Sequence, residues 1–469
     1  MKVLPPLYVD GLEVPGLYLF EGAKTCFLLN RESGTGMMLD RELAEQMEAG
    51  VPSGELLGKL VSRGMTNAGP AAACDRGVRP DFFLIDMTQA CNFACCYCLR
   101  NPESEGKRIS SEMLEHILDK MIAYCKAHGV THISIQPWGG EPLLELDKVL
   151  YIREKMNRDA PWLDVNISIE TNGSRITADA AKRLRDANIG IGVSIDGPRE
   201  IHDSQRRDVG DHATFDQVME GIQRLRENGV KHIGSISVIT KPGLEHIDEI
   251  LDFFAEELPD LSVKINPMHS PGRREALSLA VGAEDISVLV EKTAGKLKKL
   301  WLQGRKVKEG NFTSALQNLL ARSDANICKS HGCMGGRRML IFDQNGDMFP
   351  CEIVDYPSEK LGNAEDGVDI MDSVQTGIGK KEYFKEKHKA ECDCCPWWYY
   401  CQGGCTSAIL YERGCVEGVD ECGCASAKAL YEQAIRLITD APELAAEMAG
   451  IRQYAGLTVE PGAARKGKQ

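Results

Sequence analysis

The cysteines of this chain fall into two groups that lie far apart in the sequence. The chain holds 18 Cys in 469 residues; four lie within residues 91–98 and eleven lie between Cys328 and Cys424. Only Cys125 separates the two groups. In a reducing compartment, clustered cysteines indicate metal ligation or redox chemistry more than structural disulfides. We therefore expect separate metal-binding units on either side of a cysteine-poor body.

Composition narrows the partners that the chain can have. With 55 basic and 69 acidic residues, the net charge of −14 disfavours nucleic acid and anionic lipid. No apolar run reaches the length of about 18 residues that a membrane span needs. Near the N-terminus, Pro5, Pro6 and Asp10 interrupt the apolar run that a signal peptide requires. These features predict a cytoplasmic protein with no nucleic-acid or membrane partner.

The middle of the chain alternates between strand-like and amphipathic helical segments, which predicts parallel strands joined by right-handed helical crossovers. Six strands are expected, which is too few to close an eight-stranded barrel. The predicted strands are Phe82–Met87, His132–Gln136, Val165–Glu170, Gly190–Ile195, Ile233–Ile239 and Ser262–Ile265. The predicted helices include Ser111–Lys126, Ala178–Ala187, Phe215–Glu227, Leu244–Glu257 and Glu284–Leu302.

The segments outside this body predict further units. Residues 1–75 contain a hairpin pattern at Leu17–Leu29 and two short helical patterns, at Asp40–Met47 and Ser53–Arg63, as in a small α+β unit. A linker rich in Gly, Ala and Pro follows at Gly69–Pro80. The predicted divisions are residues 1–75, an α/β core at 80–305, a cysteine-rich unit at 310–428 and a helical tail at 429–469.

The first cysteine group has the spacing C-x3-C-x2-C. Cys91, Cys95 and Cys98 directly follow the first predicted strand. Three thiolates on a short loop can hold three irons of a [4Fe-4S] cube and leave the fourth iron open to a ligand. A zinc site and a set of buried structural cysteines are the alternatives. Zinc would require a fourth protein ligand, and no His lies close to this loop in the sequence.

This loop resembles that of the radical SAM superfamily, in which an aromatic residue, here Tyr97, precedes the last Cys. The segment Trp138-Gly139-Gly140-Glu141-Pro142 after the second strand resembles the GGEP element of that family. The resemblance implies a partial (β/α)6 TIM-like barrel. It also implies that Gly139, Gly140 and Glu141 bind the amino group of S-adenosylmethionine (SAM). Glycine allows close approach of backbone, and a carboxylate suits an ammonium.

Further polar residues lie at the ends of later strands, where parallel α/β sheets bind ligands. Glu170 ends the third strand and Ser194 ends the fourth, and the segment from His202 to Arg206 resembles the HDxxR segment of the family. By this resemblance Glu170, Ser194 and Arg206 contact SAM, and the backbone near Met268 closes over the adenine.

The second cysteine group resembles the SPASM extension of radical SAM enzymes that modify peptides and proteins. Its spacing from Cys333 to Cys351 and from Cys392 to Cys405 matches two elements of that extension. The resemblance implies two auxiliary [4Fe-4S] clusters, for a total of three. One set of ligands is Cys333, Cys351, Cys405 and Cys328; the other is Cys392, Cys395, Cys401 and Cys424. Cys422 is an alternative to Cys424, and a multi-zinc ribbon is an alternative to the clusters.

The implied chemistry is cleavage of SAM to a 5′-deoxyadenosyl radical that removes hydrogen from an unactivated carbon. The leading hypothesis is a maturase that installs a Cys thioether cross-link in a ribosomally made precursor peptide, with flavodoxin or ferredoxin as electron donor. Residues 1–75 loosely resemble leader-peptide recognition domains. The alternatives are an anaerobic sulfatase-maturing enzyme and a non-catalytic scaffold.

Two positions bear on the choice between the maturases. One element of the SPASM extension has the spacing G-x4-C, here from Gly346 to Cys351. Sulfatase-maturing relatives usually carry Gln before GGEP and Asp after the Cys of this element. This chain carries Trp138 and Glu352 there instead, which disfavours that substrate. Glu352 is the candidate general base.

Overall fold

The computed structural model describes residues 1–9, 12–66, 77–98, 100, 105–268, 274–321, 328, 332–353, 357–385 and 390–451. The predicted linker at 69–80 and the predicted tail at 429–469 therefore lie partly outside the described residues. Among the helices that are described, none combines the length and the apolar character that crossing a bilayer would require.

The body of the chain is a mixed sheet of ten strands within the described residues, and eight neighbouring strands run parallel. All six predicted strands are confirmed. A two-residue strand extends the sheet at one end, and three strands of the cysteine-rich region extend it at the other. In chain order the strands are β7 (Phe82–Thr88), β8 (His132–Gly139), β9 (Asp164–Thr171), β10 (Ile189–Ser194), β11 (Ile233–Ile239), β12 (Ser262–Pro267), β13 (Lys308–Glu309), β14 (Met339–Phe342), β15 (Asp347–Phe349) and β16 (Gly362–Asn363).

Strand alternation separates the two faces of this sheet. Residues such as Met87, Ile169 and Val193 belong to the apolar core shared with the helices, whereas Glu170 and Gly192, whose Cα positions pair, point the other way. The helices that follow are α3 (Ser111–Ala127), α4 (Leu146–Asp159), α5 (Ala178–Asp186), α6 (Arg199–Gln205), α7 (Phe215–Glu227), α8 (Ile247–Glu256), α9 (Ala283–Leu302) and α10 (Gly310–Ala321).

The N-terminal unit forms a four-stranded antiparallel sheet in the order β1-β4-β5-β6, a separate β2-β3 hairpin and two helices. The predicted hairpin and both predicted helices are confirmed. The elements are β1 (Lys2–Val3), β2 (Leu7–Val9), β3 (Leu12–Val14), β4 (Leu17–Glu21), β5 (Cys26–Asn30), β6 (Thr35–Leu39), α1 (Arg41–Glu48) and α2 (Gly54–Ser62).

One face of the N-terminal sheet packs on the cysteine-rich region. Phe20 stacks on Trp397 with ring centroids 5.3 Å apart, and the Tyr400 hydroxyl donates to the Gly34 carbonyl at 2.5 Å. The Tyr18 hydroxyl donates to the carbonyl of Cys394 at 2.8 Å. The N-terminal unit is therefore docked beside the loop that carries Cys392 and Cys395.

Strands β7 to β12 and the helices between them form the partial barrel. The cysteine-rich region is joined to this barrel through the sheet. Strand β14 lies parallel to β7, with Met339 beside Phe82, so the region continues the barrel sheet at its first strand. Its helices are α11 (Ile370–Ile378), α12 (Trp398–Cys401), α13 (Thr406–Arg413), α14 (Glu421–Asp440) and α15 (Pro442–Met448). The predicted division between residues 428 and 429 falls inside α14, which packs against α9 and α10.

Candidate active site and cysteine clusters

The loop of the first cysteine group is held by the segment after helix α6. The Cys96 N–H donates to the Gln205 carbonyl at 2.9 Å, and the Ala94 N–H donates to the Arg207 carbonyl at 2.7 Å. The Cys98 N–H closes the loop onto the Cys95 carbonyl at 3.1 Å. Two segments about 110 residues apart in the chain are thus fixed against each other by backbone bonds.

The thiols of this loop lie in a sheltered environment. Burial raises the pKa of the Cys91 thiol to about 12 and that of the Cys95 thiol to about 11. Cys91 Sγ accepts from the Phe93 N–H at 3.3 Å, and an Arg206 nitrogen lies 3.9 Å from Cys95 Sγ. Three thiols on one loop with a neighbouring cation fit the predicted cluster, because iron binds thiolate and the cation offsets its negative charge.

The two glycines before Glu141 pack against the end of β7. Gly139 has a φ of +134°, and a Cβ there would lie 2.3 Å from the Thr88 carbonyl oxygen. A Cβ at Gly140 would lie 2.3 Å from the carbonyl oxygen of Ala90. Glycine is therefore required at both positions because two chain segments meet here. The close approach to a ligand that the sequence predicts would be a second reason for glycine.

The Glu141 carboxylate is fully enclosed and has three partners in the protein. Oε1 accepts from the Thr171 hydroxyl at 2.7 Å and from the Leu143 N–H at 3.0 Å, and Oε2 accepts from the Asn172 N–H at 2.7 Å. These bonds tie the end of β8 to the end of β9. The structure thus gives Glu141 a positioning role, and its predicted contact with the SAM ammonium stays a prediction.

Asp196 is the hub of the candidate SAM site. Its Oδ2 accepts from the Tyr97 hydroxyl at 2.6 Å and from Arg206 Nε at 3.0 Å, and its Oδ1 accepts from the Val238 N–H at 2.9 Å. The Arg206 guanidinium also lies over the Tyr97 ring, 5.3 Å from its centroid. Two predicted site residues, Tyr97 and Arg206, are brought together by a third that was not among the predicted site residues.

The other predicted SAM contacts lie around this hub. Met268 packs with Tyr97 and Ala276 in a small apolar cluster, and its carbonyl accepts from the Val281 N–H at 2.6 Å. Ser194 ends β10, two residues before Asp196. The carboxylate of Glu170 lies over Gly192, where a Cβ would be 2.0 Å from Oε2. Burial raises the pKa of Glu170 to about 7.

Three cysteines of the first predicted auxiliary set lie close together. Burial raises the pKa of the Cys405 thiol to about 12 and raises that of the Cys351 thiol strongly. The negative charge of a nearby Cys333 thiolate raises both pKa values further. Cys351 Sγ lies 3.2 Å from Oε2 of Glu352. Cys328 is exposed, and its neighbours 322–327 and 329–331 lie outside the described residues. Ligation by Cys328 and catalysis by Glu352 both stay predictions.

The second predicted auxiliary set lines one cavity. Cys392, Cys395, Cys401 and Cys424 face it together with Lys428. Cys422 Sγ, by contrast, lies 3.7 Å from the Val281 carbonyl oxygen. Cys424, unlike Cys422, thus lines the cavity with the other three thiols, and ligation of a cluster by Cys424 stays a prediction.

Sequence reasoning missed several site residues. Asp196 lies two residues after Ser194, and a carboxylate that closely follows a buried strand was a usable signal. The Thr171 hydroxyl and the Asn172 N–H, which bind Glu141, follow the same rule at the end of β9. Tyr383, whose hydroxyl lies 3.1 Å from Cys333 Sγ, gave no signal because 50 residues separate the two in the sequence.

Replacement of Asp196 by Asn should damage both stability and SAM binding. Asp196 and Arg206 are buried, so the variant leaves a guanidinium without its counter-charge, which costs about 3–5 kcal/mol of unfolding free energy. Denaturant unfolding and calorimetric titration with SAM measure the two effects. Asp216→Asn, which removes the exposed partner of Arg199, is the matched control and should change little. Equal effects of the two variants would contradict the hub role.

Glu170→Gln should change how stability depends on pH. The folded-state pKa of about 7 lies above the ordinary value of 4.5, so the folded state holds its proton more tightly than the unfolded state. The contribution of protonated Glu170 to the free energy of unfolding is fully present below pH 4.5 and is lost as pH rises to about 7. Wild type should therefore lose up to about 3 kcal/mol relative to the variant over that range. Denaturant unfolding at several pH values tests this, and a difference that does not vary with pH would refute it.

Comparison with known proteins shows a known domain at this site. The model of the radical SAM superfamily matches residues 85–254, which contain the cysteine loop, the glycine pair and Asp196. A cysteine-type anaerobic sulfatase-maturating enzyme of Clostridium novyi is 26% identical over 74% of this chain and 93% of its own length. The mycofactocin maturase MftC of Mycobacterium tuberculosis is 25% identical over 72% of this chain and 81% of its own.

Solved structures share the fold. Native anSMEcpe with bound AdoMet and Cp18Cys peptide superposes with a TM-score of 0.66 at 22% identity, over 80% of this chain and all of that one. Streptococcus suis SuiB bound to its precursor peptide SuiA gives a TM-score of 0.54 at 16% identity, over 89% of this chain and all of that one. The solved structures show the shared fold, and the match of the family model shows that the chain carries a radical SAM domain over residues 85–254.

Proposed function

We propose that this protein is a radical SAM maturase that modifies a peptide or protein substrate. One observation carries the proposal: the cysteine loop, the glycine pair and the Asp196 hub meet at the carboxyl ends of the first four barrel strands. Polar groups at that edge of a parallel sheet are where a ligand binds. The maturases among the relatives support a polypeptide as the substrate.

In this proposal the residues of the site have different roles. Cys91, Cys95 and Cys98 would hold a [4Fe-4S] cluster, and such a cluster supplies the electron that cleaves SAM to methionine and a 5′-deoxyadenosyl radical. Arg206 and Ser194 contact SAM, and the Met268 backbone covers its adenine. Asp196 keeps the Arg206 guanidinium in one orientation, because it also binds Tyr97. Orientation of this kind is the main contribution that a protein makes to cofactor chemistry.

Eight of the eleven cysteines between Cys328 and Cys424 would hold two auxiliary [4Fe-4S] clusters. The close approach of Cys333, Cys351 and Cys405 and the shared cavity of the second set support this. Trp138, from the end of β8, packs on the same apolar cluster as Cys333 and Cys351. The first auxiliary set therefore borders the strand that ends at the glycine pair, and a cluster bound there would be close enough to exchange an electron with a substrate at the ends of these strands.

The modification that we propose is a Cys thioether cross-link in a ribosomally made precursor peptide, with a flavodoxin or ferredoxin as the electron donor. Trp138 and Glu352 occupy positions where sulfatase-maturing relatives usually carry Gln and Asp, which supports a different substrate. The likeness to SuiB extends over 89% of this chain with a TM-score of 0.54, and that to anSMEcpe over 80% with a TM-score of 0.66, so the shared fold does not separate the two substrates.

Formylglycine formation in a sulfatase is the second candidate, because sulfatase-maturating enzymes are among the relatives. The reading frames beside the gene separate the two. A short Cys-containing peptide would support the cross-link, and a sulfatase would support the rival.

Loss of cysteines tests the cluster assignments. Reconstituted protein should hold about twelve irons, since each of three clusters has four. Replacing Cys91, Cys95 and Cys98 by Ala should remove about four irons and abolish formation of 5′-deoxyadenosine, measured by chromatography after anaerobic reduction. Cys424→Ala should lower the iron content, whereas the matched variant Cys422→Ala should not. Retained SAM cleavage in the triple variant would reject the proposed function, and equal iron loss in the two single variants would reject the choice of Cys424.

We further propose that the N-terminal unit binds the leader segment of the precursor by strand addition. Its sheet has one covered edge, because α10 lies against β6, whereas β1 forms the opposite edge and pairs only with β4 in the described sheet. Val3 is 70% exposed. An edge strand with unpaired backbone groups is a template for an added strand.

Proline at position 3 tests this edge. The Leu4 N–H donates to the Leu17 carbonyl at 3.0 Å, so by alternation the Val3 N–H points away from β4. Val3→Pro removes that outward donor and should weaken binding of the precursor encoded beside the gene about tenfold. Val3→Thr is the control, and fluorescence anisotropy is the measurement. Equal affinity of the two variants would exclude strand addition at β1.

A further inference from the structure

Tyr383 is a buried tyrosine that contacts the first auxiliary cysteine set. Its side chain is 4% exposed, and its hydroxyl oxygen lies 3.1 Å from Sγ of Cys333. The residue lies on a short 3₁₀ turn, Glu382–Phe384, and its N–H donates to Oε2 of the buried Glu359 at 3.2 Å. The contact between Tyr383 and Cys333 therefore joins two parts of the chain that are 50 residues apart.

The surroundings hold the phenol ring in one place. A Cβ at Gly335 would lie 2.1 Å from the Tyr383 hydroxyl oxygen, so only glycine leaves room for the hydroxyl beside the Cys333 loop. The ring meets Phe384 edge to face, with centroids 5.5 Å apart and an interplanar angle of 75°. A hydroxyl fixed in this way needs little reorganisation to keep its hydrogen bond.

The contact is also shielded from water. Tyr383 belongs to an apolar cluster that includes Leu84 of β7, Phe349 of β15 and Cys351, with Trp138 and Cys333 packed against it. A hydrogen bond in such a low-dielectric environment is stronger than one in water. The same cluster contains both Leu84 of β7 and Cys351, so the Tyr383 hydroxyl lies in the apolar contact between the first strand and the auxiliary cysteines.

We propose that Tyr383 is a positioning residue for the first auxiliary cluster: its hydroxyl donates a hydrogen bond to the Cys333 thiolate and raises the reduction potential of a cluster bound there. A thiolate bound to iron carries no proton, so the hydroxyl has to be the donor. Reduction adds negative charge to the cluster and its sulfurs, and a donor stabilises the more negative state. The inference rests on the proposed function, because it requires a cluster at Cys333, Cys351 and Cys405.

Tyr383→Phe removes the hydroxyl and keeps the ring. The variant and its parent would be reconstituted in a background in which Cys91, Cys95 and Cys98 are Ala, so that only auxiliary signals remain. In an anaerobic redox titration followed by electron paramagnetic resonance, one of the two auxiliary couples should shift to lower potential. At a fixed potential its ratio of reduced to oxidised cluster should fall about tenfold, or about 59 mV for one electron. Tyr124→Phe is the matched control, because the buried Tyr124 hydroxyl donates to the Pro80 carbonyl at 3.0 Å.

The outcomes are distinct. Full iron content with both potentials as in the Tyr124 control would overturn the inference. If the parent itself lacks iron at the Cys333 set, the auxiliary-cluster proposal fails for a separate reason and this inference falls with it. If Tyr383→Phe alone loses the cluster, 3-fluorotyrosine in place of Tyr383 decides the matter. Its more acidic phenol is the stronger donor and should move the same couple to higher potential, and an unchanged potential would overturn the inference.

Discussion

The buried carboxylate of Asp196 is the contact on which the candidate site depends. It accepts hydrogen bonds from Tyr97 in the cysteine loop, from Arg206 after α6 and from the backbone of β11. The ion pair with Arg206 is enclosed, so each partner needs the other to offset its loss of hydration. A single side chain thus fixes the loop that would hold the cluster relative to the arginine that would bind SAM.

The glycine pair and Glu141 perform the same task on the other side of the site. Gly139 and Gly140 allow β8 to end against the first strand, and Glu141 binds the end of β9. Together with Asp196, these contacts connect the carboxyl ends of the five strands β7 to β11. The proposed chemistry would require such preorganisation, because a radical that removes hydrogen from carbon must meet one bond and no other.

The way the two cysteine-bearing regions are joined brings the Cys333 loop beside the first strands of the large sheet. Strand β14 continues the barrel sheet beside β7, and this places the Cys333 loop against the same apolar cluster as Leu84 and Trp138. The N-terminal unit closes the far side of the region, with Phe20 on Trp397 next to the second set. Neither junction has a local pattern in the sequence, because each depends on surfaces that meet only after folding.

The sequence alone determined the local features of this protein. These are the six parallel strands, the C-x3-C-x2-C loop and the polar residues at strand ends. These follow from periodicity and from the number of thiols that a short loop can present. Tertiary structure alone decided that Cys424 rather than Cys422 shares the cavity of the second set, and that Tyr383 reaches Cys333. Cys422 and Cys424 are two residues apart on a helix, so their side chains face different directions. Tyr383 and Cys333 are 50 residues apart in the chain, so only tertiary packing brings the hydroxyl to the sulfur.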